Sequence, residues 1–227
     1  MIRAILFDLD NTLTDFWKFK NECIGAAIQA MAKAGLKIEK KQADEFVVGL
    51  YKKGLIEKED IFQGLLKEVT GEVDERILSE GLKAYRERRK TLLKPYPEVA
   101  ETINELKKSC KIGIISDAPR KKVLLRLERM EIEKDMFDVL ISIEDTNQKK
   151  PHPLPFQKAI EKLKVNPDEI LMVGDSIHKD MAGAKAAGMH TCLAVYGRTL
   201  KPKVNPDGVD FMANRVSDLL EIVKRIK

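Results

Sequence analysis

The sequence predicts an α/β fold, a doubly wound parallel sheet with a smaller helical domain inserted after its first strand. Three observations predict it: short apolar runs recur along the chain, helical patterns alternate with most of them, and one long early stretch holds helical patterns alone. With 227 residues, of which 44% are hydrophobic, the chain is long enough for a large core domain and a small second one.

Five short apolar runs are the predicted strands of the sheet. Each is too short for a helix and is apolar without alternation, as expected for parallel strands that are covered on both faces. The predicted strands are residues 2–7, 111–116, 138–142, 169–174 and 190–195.

Helices between the later strands complete the alternation. Residues 97–109 have apolar positions spaced three and four apart after Pro97, which is a favourable first helical position. Residues 122–130, 153–165 and 176–189 are the other predicted helices of this part. Strands that alternate with helices predict right-handed crossovers and a doubly wound sheet.

The stretch between the first two strands contains four helical runs and no convincing strand. Glycine follows three of these runs as a helix stop, at Gly35, near Gly54 and at Gly71. We therefore predict a helical domain over residues 16–95 and a core domain formed by residues 1–15 and 96–227. The two prolines within residues 95–99 indicate a hinge or linker where the core resumes.

The charge and composition of the chain indicate whether a nucleic-acid partner is expected. The net charge of +5 is spread along the chain, and its densest basic cluster is residues 86–90. We interpret this cluster as the solvated face of a helix. The interleaved glutamate and the single tryptophan of the chain do not indicate a platform on which bases stack, so we expect no nucleic-acid partner.

Cysteine usage and the start of the chain bear on location. The three cysteines are far apart and show no metal-binding spacing, which is typical of a reduced, intracellular protein. A strand that ends at Asp8 begins almost at once, so we expect no signal peptide, and no apolar run is long enough to span a membrane. We expect a soluble cytoplasmic protein without a membrane partner, as a monomer or a homodimer. Lys and Glu dominate the charged residues of the chain, a bias that is typical of heat-adapted proteins.

The first strand leads into two carboxylates, Asp8 and Asp10. Residues two apart in a strand share a face, and Thr12 continues the series if the chain stays extended. In open α/β sheets the ligand site lies at the carboxyl ends of the strands. Two adjacent carboxylates repel each other unless a cation joins them or one keeps a proton. The pair therefore indicates a divalent cation site or two acids with different roles.

Other predicted strand ends add groups of complementary chemistry. Ser116 ends a strand with a hydroxyl, and Asp175 ends another with a third carboxylate, followed by Asp180 at the start of the next helix. Lys150 precedes a proline, which holds it out of helical conformation where it can reach an anion. Together these residues predict an oxygen-rich Mg²⁺ site beside donors for a tetrahedral anion.

In this order the motifs resemble those of the haloacid dehalogenase superfamily of phosphohydrolases. The pattern D-x-D-x-T is matched by Asp8, Asp10 and Thr12, and the hydroxyl motif is matched by Ser116. K-P-x-P begins at Lys150, and the final acidic motif is formed by Gly174, Asp175, Ser176 and Asp180. The resemblance covers nearly the whole chain. It implies a Rossmann-like core and a helical cap, which one branch of the family carries where the helical insert lies.

The resemblance also implies catalytic roles for the two acids of the first motif. Asp8 would attack phosphorus and form an aspartyl-phosphate. Asp10 would protonate the leaving oxygen and then deprotonate the water that hydrolyses the intermediate.

Roles for the remaining residues follow from the same resemblance. Mg²⁺ would be held by Asp8, the backbone carbonyl of Asp10 and Asp175, while Asp180 would orient a metal-bound water. The transferring phosphoryl oxygens would be bound by Thr12, Ser116 and Lys150. The implied substrate is a small phosphorylated metabolite.

Asp10 with Thr12 favours a phosphatase among the relatives. The 2-haloacid dehalogenases lack an acid at the position of Asp10, and phosphomutases of the β-phosphoglucomutase type commonly carry Val or Ala in place of Thr12. A phosphomutase or other phosphotransferase stays the main alternative, and a dehalogenase is a weaker one. A non-enzymatic binding module would lack one of the acidic or lysine residues, and all are present.

Two features leave alternatives open. Many relatives carry Asn after the hydroxyl residue where this chain has Asp117, and we interpret Asp117 either as a substrate contact or as a cap for the helix after Pro119. In the helical domain Phe16, Trp17 and Lys20, with the loop 51–54, would line a closed pocket. Alternatively, Phe16 and Trp17 only pack the cap against the core.

Overall fold

The computed structural model describes residues 1–53, 55, 58, 60–91, 93–198 and 208–226. Backbone contacts divide the chain into two compact units, a sheet unit of Met1–Asp15 with Leu93–Lys227 and a helical unit of Phe16–Leu92. The contacts thus place the second division after residue 92, whereas the sequence placed it after residue 95. The role of the helical unit as a cap stays a prediction.

The helical unit contains four described helices, in agreement with the four helical runs of the sequence. They are Phe16–Lys33 (α1), Lys40–Lys52 (α2), Ile61–Thr70 (α3) and Glu75–Arg89 (α4). Gly71 ends α3 in the left-handed conformation with φ 83°, as its helix-stop role predicts. Asp74 begins α4, because its carboxylate accepts hydrogen bonds from the backbone N–H groups of Arg76 and Ile77. Gly54 lies outside the described residues.

The basic cluster 86–90 lies on the last turn of α4 and at its end. Arg86 and Lys90 are exposed, Lys90 pairs with Glu87 at 2.7 Å, and Arg88 pairs with Glu22 on α1. These contacts fit the solvated helix face that the sequence predicts. Two other side chains of α1 find their partners inside the unit: Trp17 packs edge-on against Tyr51, and Lys20 donates a hydrogen bond to the Tyr85 hydroxyl.

The described strands of the sheet unit form one six-stranded sheet. They are Ala4–Phe7 (β1), Lys111–Ile115 (β2), Val139–Ile141 (β3), Ile170–Gly174 (β4), His190–Ala194 (β5) and Phe211–Ala213 (β6). The spatial order is β3-β2-β1-β4-β5-β6, and every neighbouring pair is parallel. The predicted doubly wound parallel sheet is confirmed. The sixth strand was not predicted, because its apolar run is only three residues long and Met212, at the edge of the sheet, is half exposed.

The first strand lies in the middle of the sheet. All four residues of β1 have no exposed surface, because strands cover both edges and helices cover both faces. Since the strands are parallel, the carboxyl ends of β1, β2 and β4 meet at one edge of the sheet. The residues that follow those three strands are therefore brought together, which is the arrangement that positions the site.

Helices flank the sheet and connect its strands. They are Val99–Lys107 (α5), Arg120–Arg129 (α6), Pro153–Leu163 (α7), Ala182–Ala186 (α8) and Leu219–Arg225 (α9). The predicted start of α5 at Pro97 is wrong, because Glu98 adopts a left-handed conformation with φ 66° and the helix begins after it. Residues 176–189 form no single helix, since a π-helical turn, Ile177–Met181, precedes the short α8. Among the described residues, no helix is both long and apolar enough to cross a bilayer.

Candidate active site

The chain turns sharply after β1, and this turn places the first site residues. Asn11 adopts a left-handed backbone conformation with φ 62°, which asparagine tolerates better than most residues. The Leu13 N–H donates to the Leu9 carbonyl at 3.0 Å, so the segment curls back and does not continue as a strand. Thr12 Oγ1 consequently lies 3.3 Å from Asp8 Oδ2 and donates a hydrogen bond to it.

Lys150 brings a buried positive charge to the same carboxylate. Its residue is only 4% exposed, and its Nζ lies 2.6 Å from Asp8 Oδ1 and 2.7 Å from Asp180 Oδ1. Nζ also donates to the Ile115 carbonyl at 2.9 Å, at the end of β2. The lysine therefore ties together groups that follow three different strands, with both partners of each ion pair almost removed from water.

Three carboxylates lie close together here, and two of them contact the Lys150 ammonium group. Asp8, Asp175 and Asp180 each offer a carboxylate oxygen, and these oxygens all lie within 4.8 Å of one another. Asp175 is 5% exposed and Asp180 is 1% exposed. Because one lysine cannot balance three buried negative charges, the cluster has the donor set and the excess charge that a divalent cation requires.

The π-helical turn after β4 carries Asp180 into this cluster. The Asp180 N–H donates to the Ser176 carbonyl at 2.9 Å, and Asp180 Oδ2 accepts from the Ser176 N–H at 3.0 Å. A Cβ atom at Gly174 would overlap the Asp180 carboxylate. Glycine at the end of β4 is therefore required for Asp180 to approach the strand end.

The mutual electrostatics are visible in the pKa values. Burial raises the pKa of Asp8 to about 6, although the Lys150 ammonium opposes the rise. Burial also raises the pKa of Asp180, and the neighbouring Asp175 carboxylate adds to that rise. For Lys150, burial alone would lower the pKa, but the carboxylates of Asp180, Asp8 and Asp117 raise it above its ordinary value. The lysine thus stays charged. Without a further cation, the carboxyl groups of Asp8 and Asp180 keep their protons to a higher pH than an ordinary aspartate does.

Ser116 and Asp117 follow β2 at the same edge. Ser116 is buried, and its Oγ accepts a hydrogen bond from the Ala118 N–H at 3.2 Å. Asp117 Oδ1 accepts from the backbone N–H of Lys150 at 2.9 Å, and Asp117 Oδ2 lies 3.2 Å from Lys179 Nζ. The alternative that Asp117 caps the next helix is wrong, since Asp117 Oδ1 accepts from Lys150 and the first N–H of α6, that of Arg120, donates to Glu144 Oε2 at 2.8 Å.

Three residues after β5 contact the site loops and escaped the sequence reasoning. The Tyr196 hydroxyl donates to the Thr12 carbonyl at 3.0 Å, and Arg198 Nη1 donates to the Asp175 carbonyl at 2.7 Å. Between them, Gly197 approaches Asn11 so closely that a Cβ atom would overlap the Asn11 carbonyl oxygen. The end of the predicted strand 190–195 was the available signal, because the strand-end rule applies to it as to the others.

Asp10 has a partner of its own, which the sequence reasoning also missed. Arg126, on α6, is buried, and its Nη1 lies 3.1 Å from Asp10 Oδ2. Asp8 and Asp10 are thus two residues apart in the chain, yet each is paired with a different cation. The available signal was a charged residue at an apolar position of the helix pattern.

The fold and the site together define a class of protein. A buried carboxylate at the end of the central parallel strand lies against a lysine, a hydroxyl and two further carboxylates. Such an arrangement suits an α/β enzyme that uses a carboxylate and a bound cation on an anionic substrate.

The chain belongs to the haloacid dehalogenase-like hydrolase family, whose model matches residues 5–194. The resemblance inferred from the sequence motifs is therefore confirmed, as is the prediction of an enzyme of the hydrolase class.

Two curated relatives and one solved structure are similar over the whole length. A glyceraldehyde 3-phosphate phosphatase of Methanocaldococcus jannaschii is 32% identical over 228 residues, covering 100% of this chain and 99% of the relative. The pyrophosphatase PpaX of Bacillus cereus is 32% identical over 235 residues, covering 99% of this chain and 98% of the relative. The crystal structure of a HAD phosphatase from Thermococcus onnurineus superimposes with a TM-score of 0.65 at 26% identity, covering 98% of both chains.

Proposed function

We propose that this protein is a Mg²⁺-dependent phosphatase that hydrolyses a small phosphomonoester through an aspartyl-phosphate on Asp8. The observation that carries the proposal is the buried Lys150 ammonium, which lies 2.6 Å from Asp8 and 2.7 Å from Asp180 at the edge where three strands end. That arrangement sets a carboxylate nucleophile beside a fixed positive charge for the phosphoryl oxygens. The phosphatase names of the relatives support it.

In the first step an Asp8 oxygen attacks phosphorus. The new bond joins that oxygen to phosphorus, and the bond between phosphorus and the leaving-group oxygen breaks. Asp10 gives its proton to the departing oxygen, so that an alcohol and not an alkoxide leaves. Thr12, Ser116 and Lys150 bind the remaining phosphoryl oxygens, the first two through their hydroxyl groups.

In the second step a water molecule attacks phosphorus of the aspartyl-phosphate. Asp10, now a carboxylate, takes a proton from this water as the new bond forms. The bond between phosphorus and the Asp8 oxygen breaks, inorganic phosphate is released and the Asp8 carboxylate is regenerated. Each proton given by Asp10 is thus recovered within one turnover.

The carboxylate cluster fits Mg²⁺, which prefers oxygen ligands and keeps several waters. The residues that would hold it are Asp8, Asp175 and the backbone carbonyl of Asp10, with Asp180 orienting a coordinated water. When bound, Mg²⁺ would neutralise charge on the phosphoryl group and on the nucleophile. The excess of buried negative charge over the single Lys150 ammonium supports a cation in this place.

The proposed substrate is a small phosphorylated metabolite, a triose, a sugar or a phosphorylated acid. A relative named glyceraldehyde 3-phosphate phosphatase supports a three-carbon ester as the first compound to try. We also propose a reducing, cytoplasmic location from cysteine usage, because Cys23, Cys110 and Cys192 are free thiols. We also propose that the protein has no nucleic-acid partner.

Phosphate release tests this function. The unaltered protein and Asp8→Asn are compared on p-nitrophenyl phosphate and a panel of metabolite esters, with Mg²⁺ and with a chelator. We expect Mg²⁺-dependent release that is lost in Asp8→Asn. Equal release by both proteins would show that Asp8 is not the nucleophile. Isomerised ester without free phosphate would indicate a phosphomutase, and halide release without metal would indicate a dehalogenase.

A further inference from the structure

Arg126 occupies a position where the helix pattern calls for an apolar residue. The buried residues Val123 and Leu127 of α6, and Met130 directly after it, lie three before, one after and four after Arg126, which is the spacing of one helical face. Arg126 shares this burial and is only 5% exposed. A guanidinium group is costly to remove from water, so its presence on the core face requires a compensating partner.

The charge that faces this guanidinium belongs to Asp10. Arg126 Nη1 lies 3.1 Å from Asp10 Oδ2, while the Arg126 side chain is 6% exposed and the Asp10 side chain is 26% exposed. The arginine is therefore sequestered behind the carboxylate, and the carboxylate keeps an accessible side. This is the geometry expected of a group that holds another group in place without itself contacting a ligand.

The two acids of the first motif are thereby drawn to different cations. Asp8 forms an ion pair with Lys150, within the carboxylate cluster, and Asp10 forms an ion pair with Arg126 on α6. A freely rotating Asp10 side chain could instead join the same cluster, where it would compete for the same cation. The contact with Arg126 keeps the Asp10 carboxylate apart from that cluster.

We propose that Arg126 is a positioning residue that holds Asp10 where it can exchange a proton with the leaving oxygen. The proposal rests on the phosphatase function proposed above. Arg126 itself contacts no reacting atom, and it acts through the orientation of Asp10. Because α6 begins only four residues after Ser116, the arginine is also fixed relative to the strand end that binds phosphoryl oxygens.

The test compares two esters whose leaving groups need different help from Asp10. Glycerol phosphate releases an alcohol that must be protonated, whereas p-nitrophenol leaves readily as its anion. For Arg126→Met we expect kcat/KM to fall at least about tenfold on glycerol phosphate and much less on p-nitrophenyl phosphate. We use kcat/KM because it reports the steps up to departure of the leaving group. Arg126→Lys should restore part of the lost activity.

Two further variants separate positioning from general stability. Arg120 lies on the same helix as Arg126 and forms an ion pair with Asp145. Arg120→Met should therefore lower thermal stability without changing the ratio of the kcat/KM values on the two esters. In the Asp10→Asn background, Arg126→Met should cause almost no additional loss, because the group on which it acts is already removed. If Arg126→Met is too unstable to assay, Arg126→Lys decides the question, since it keeps the charge and loses the planar fork.

Equal losses on both esters, or losses that multiply fully in the double variant, would overturn the positioning role and leave the phosphatase function intact. Failure of the unaltered protein to hydrolyse either ester, or full activity in Asp8→Asn, would overturn the phosphatase function and the role of Arg126 with it. The two failures are therefore distinguishable in one set of measurements.

Discussion

Lys150 Nζ lies 2.6 Å from Asp8 Oδ1, although the two residues are 142 positions apart in the chain. This contact joins the end of the central strand to the segment that precedes α7. Both side chains are largely buried, with 2% of the lysine side chain and 13% of the aspartate side chain exposed. The pair is therefore a strong interaction in a low dielectric, and removing one partner leaves the other charge buried without compensation.

Loss of the Lys150 ammonium should impair turnover far more than loss of a neighbouring lysine. In Lys150→Met we expect kcat to fall on the order of 10²-fold, since the cation that we propose for binding the phosphoryl oxygens is removed. Lys149→Met is the matched control, because Lys149 is exposed and its charge is solvated. Steady-state kinetics of both variants at saturating Mg²⁺ measure the difference, and similar kcat values for the two would contradict the assignment.

The raised pKa of Asp8 predicts an unusual pH dependence of stability in the absence of metal ions. The pKa of Asp8 in the folded protein is about 6, whereas the ordinary pKa of an aspartate carboxyl is 3.8. Between these values the folded state binds more protons, so the unfolding free energy decreases as pH rises through this window. Asp8→Asn cannot titrate and lacks this decrease.

Urea unfolding with a chelator present, at pH values from 4 to 7, measures this effect. Relative to Asp8→Asn, the unaltered protein should lose up to about 3 kcal/mol of unfolding free energy across that range. Added Mg²⁺ should reverse the loss at neutral pH, because a cation bound to the folded state favours the ionised carboxylates. Parallel pH curves for the two proteins would be inconsistent with a raised pKa at Asp8.

The parts of the site that the sequence predicts are those that follow from strand topology. Asp8, Ser116 and Asp175 each stand where an apolar run ends, and parallel strands must bring such ends to one edge. Lys150 could be predicted as a site residue from its position before a proline. Thr12 reaches Asp8 for a different reason than expected, because the chain turns at a left-handed Asn11 and does not stay extended.

The parts that escaped prediction depend on three-dimensional contacts, for which the local sequence gives a weak signal or none. Arg126 stands at an apolar position of its helix pattern, but the pattern does not identify Asp10 as the partner that the packed helix gives it. The apolar run of β6 is only three residues long, and no sequence pattern marks the left-handed Glu98 after which α5 begins. Such features are decided by tertiary packing, which overrides local preference.

Gly197 is expected to tolerate no side chain, because its backbone packs against the turn that follows Asp8, the proposed nucleophile. In Gly197→Ala the new Cβ atom would overlap the Asn11 carbonyl oxygen, so the turn between Asp8 and Thr12 must shift. Because we propose that this turn is catalytic, we expect its displacement to lower kcat on the order of 10²-fold. Gly64→Ala is the control, since Gly64 lies in α3 with open space around its Cα. Unchanged turnover in Gly197→Ala would mean that the loop adapts without cost.

Asp117 should act through its hydrogen bond to the Lys150 backbone and not through its charge. Asp117 Oδ1 accepts from the Lys150 N–H at 2.9 Å, and the amide oxygen of Asn can accept the same bond. We therefore expect Asp117→Asn to keep most of the activity and Asp117→Ala to lose roughly tenfold, because the segment that carries Lys150 is released.

Lys179→Met completes this comparison. Its ammonium lies 3.2 Å from Asp117 Oδ2, but the Lys179 side chain is 54% exposed, so the pair contributes little in water. Activity should therefore be almost unchanged in Lys179→Met. Kinetics of the three variants on one metabolite ester distinguish the roles of Asp117. If Asp117→Asn loses as much activity as Asp117→Ala, the negative charge itself is required, and Asp117 then contacts a cationic group of the substrate or of the reacting site.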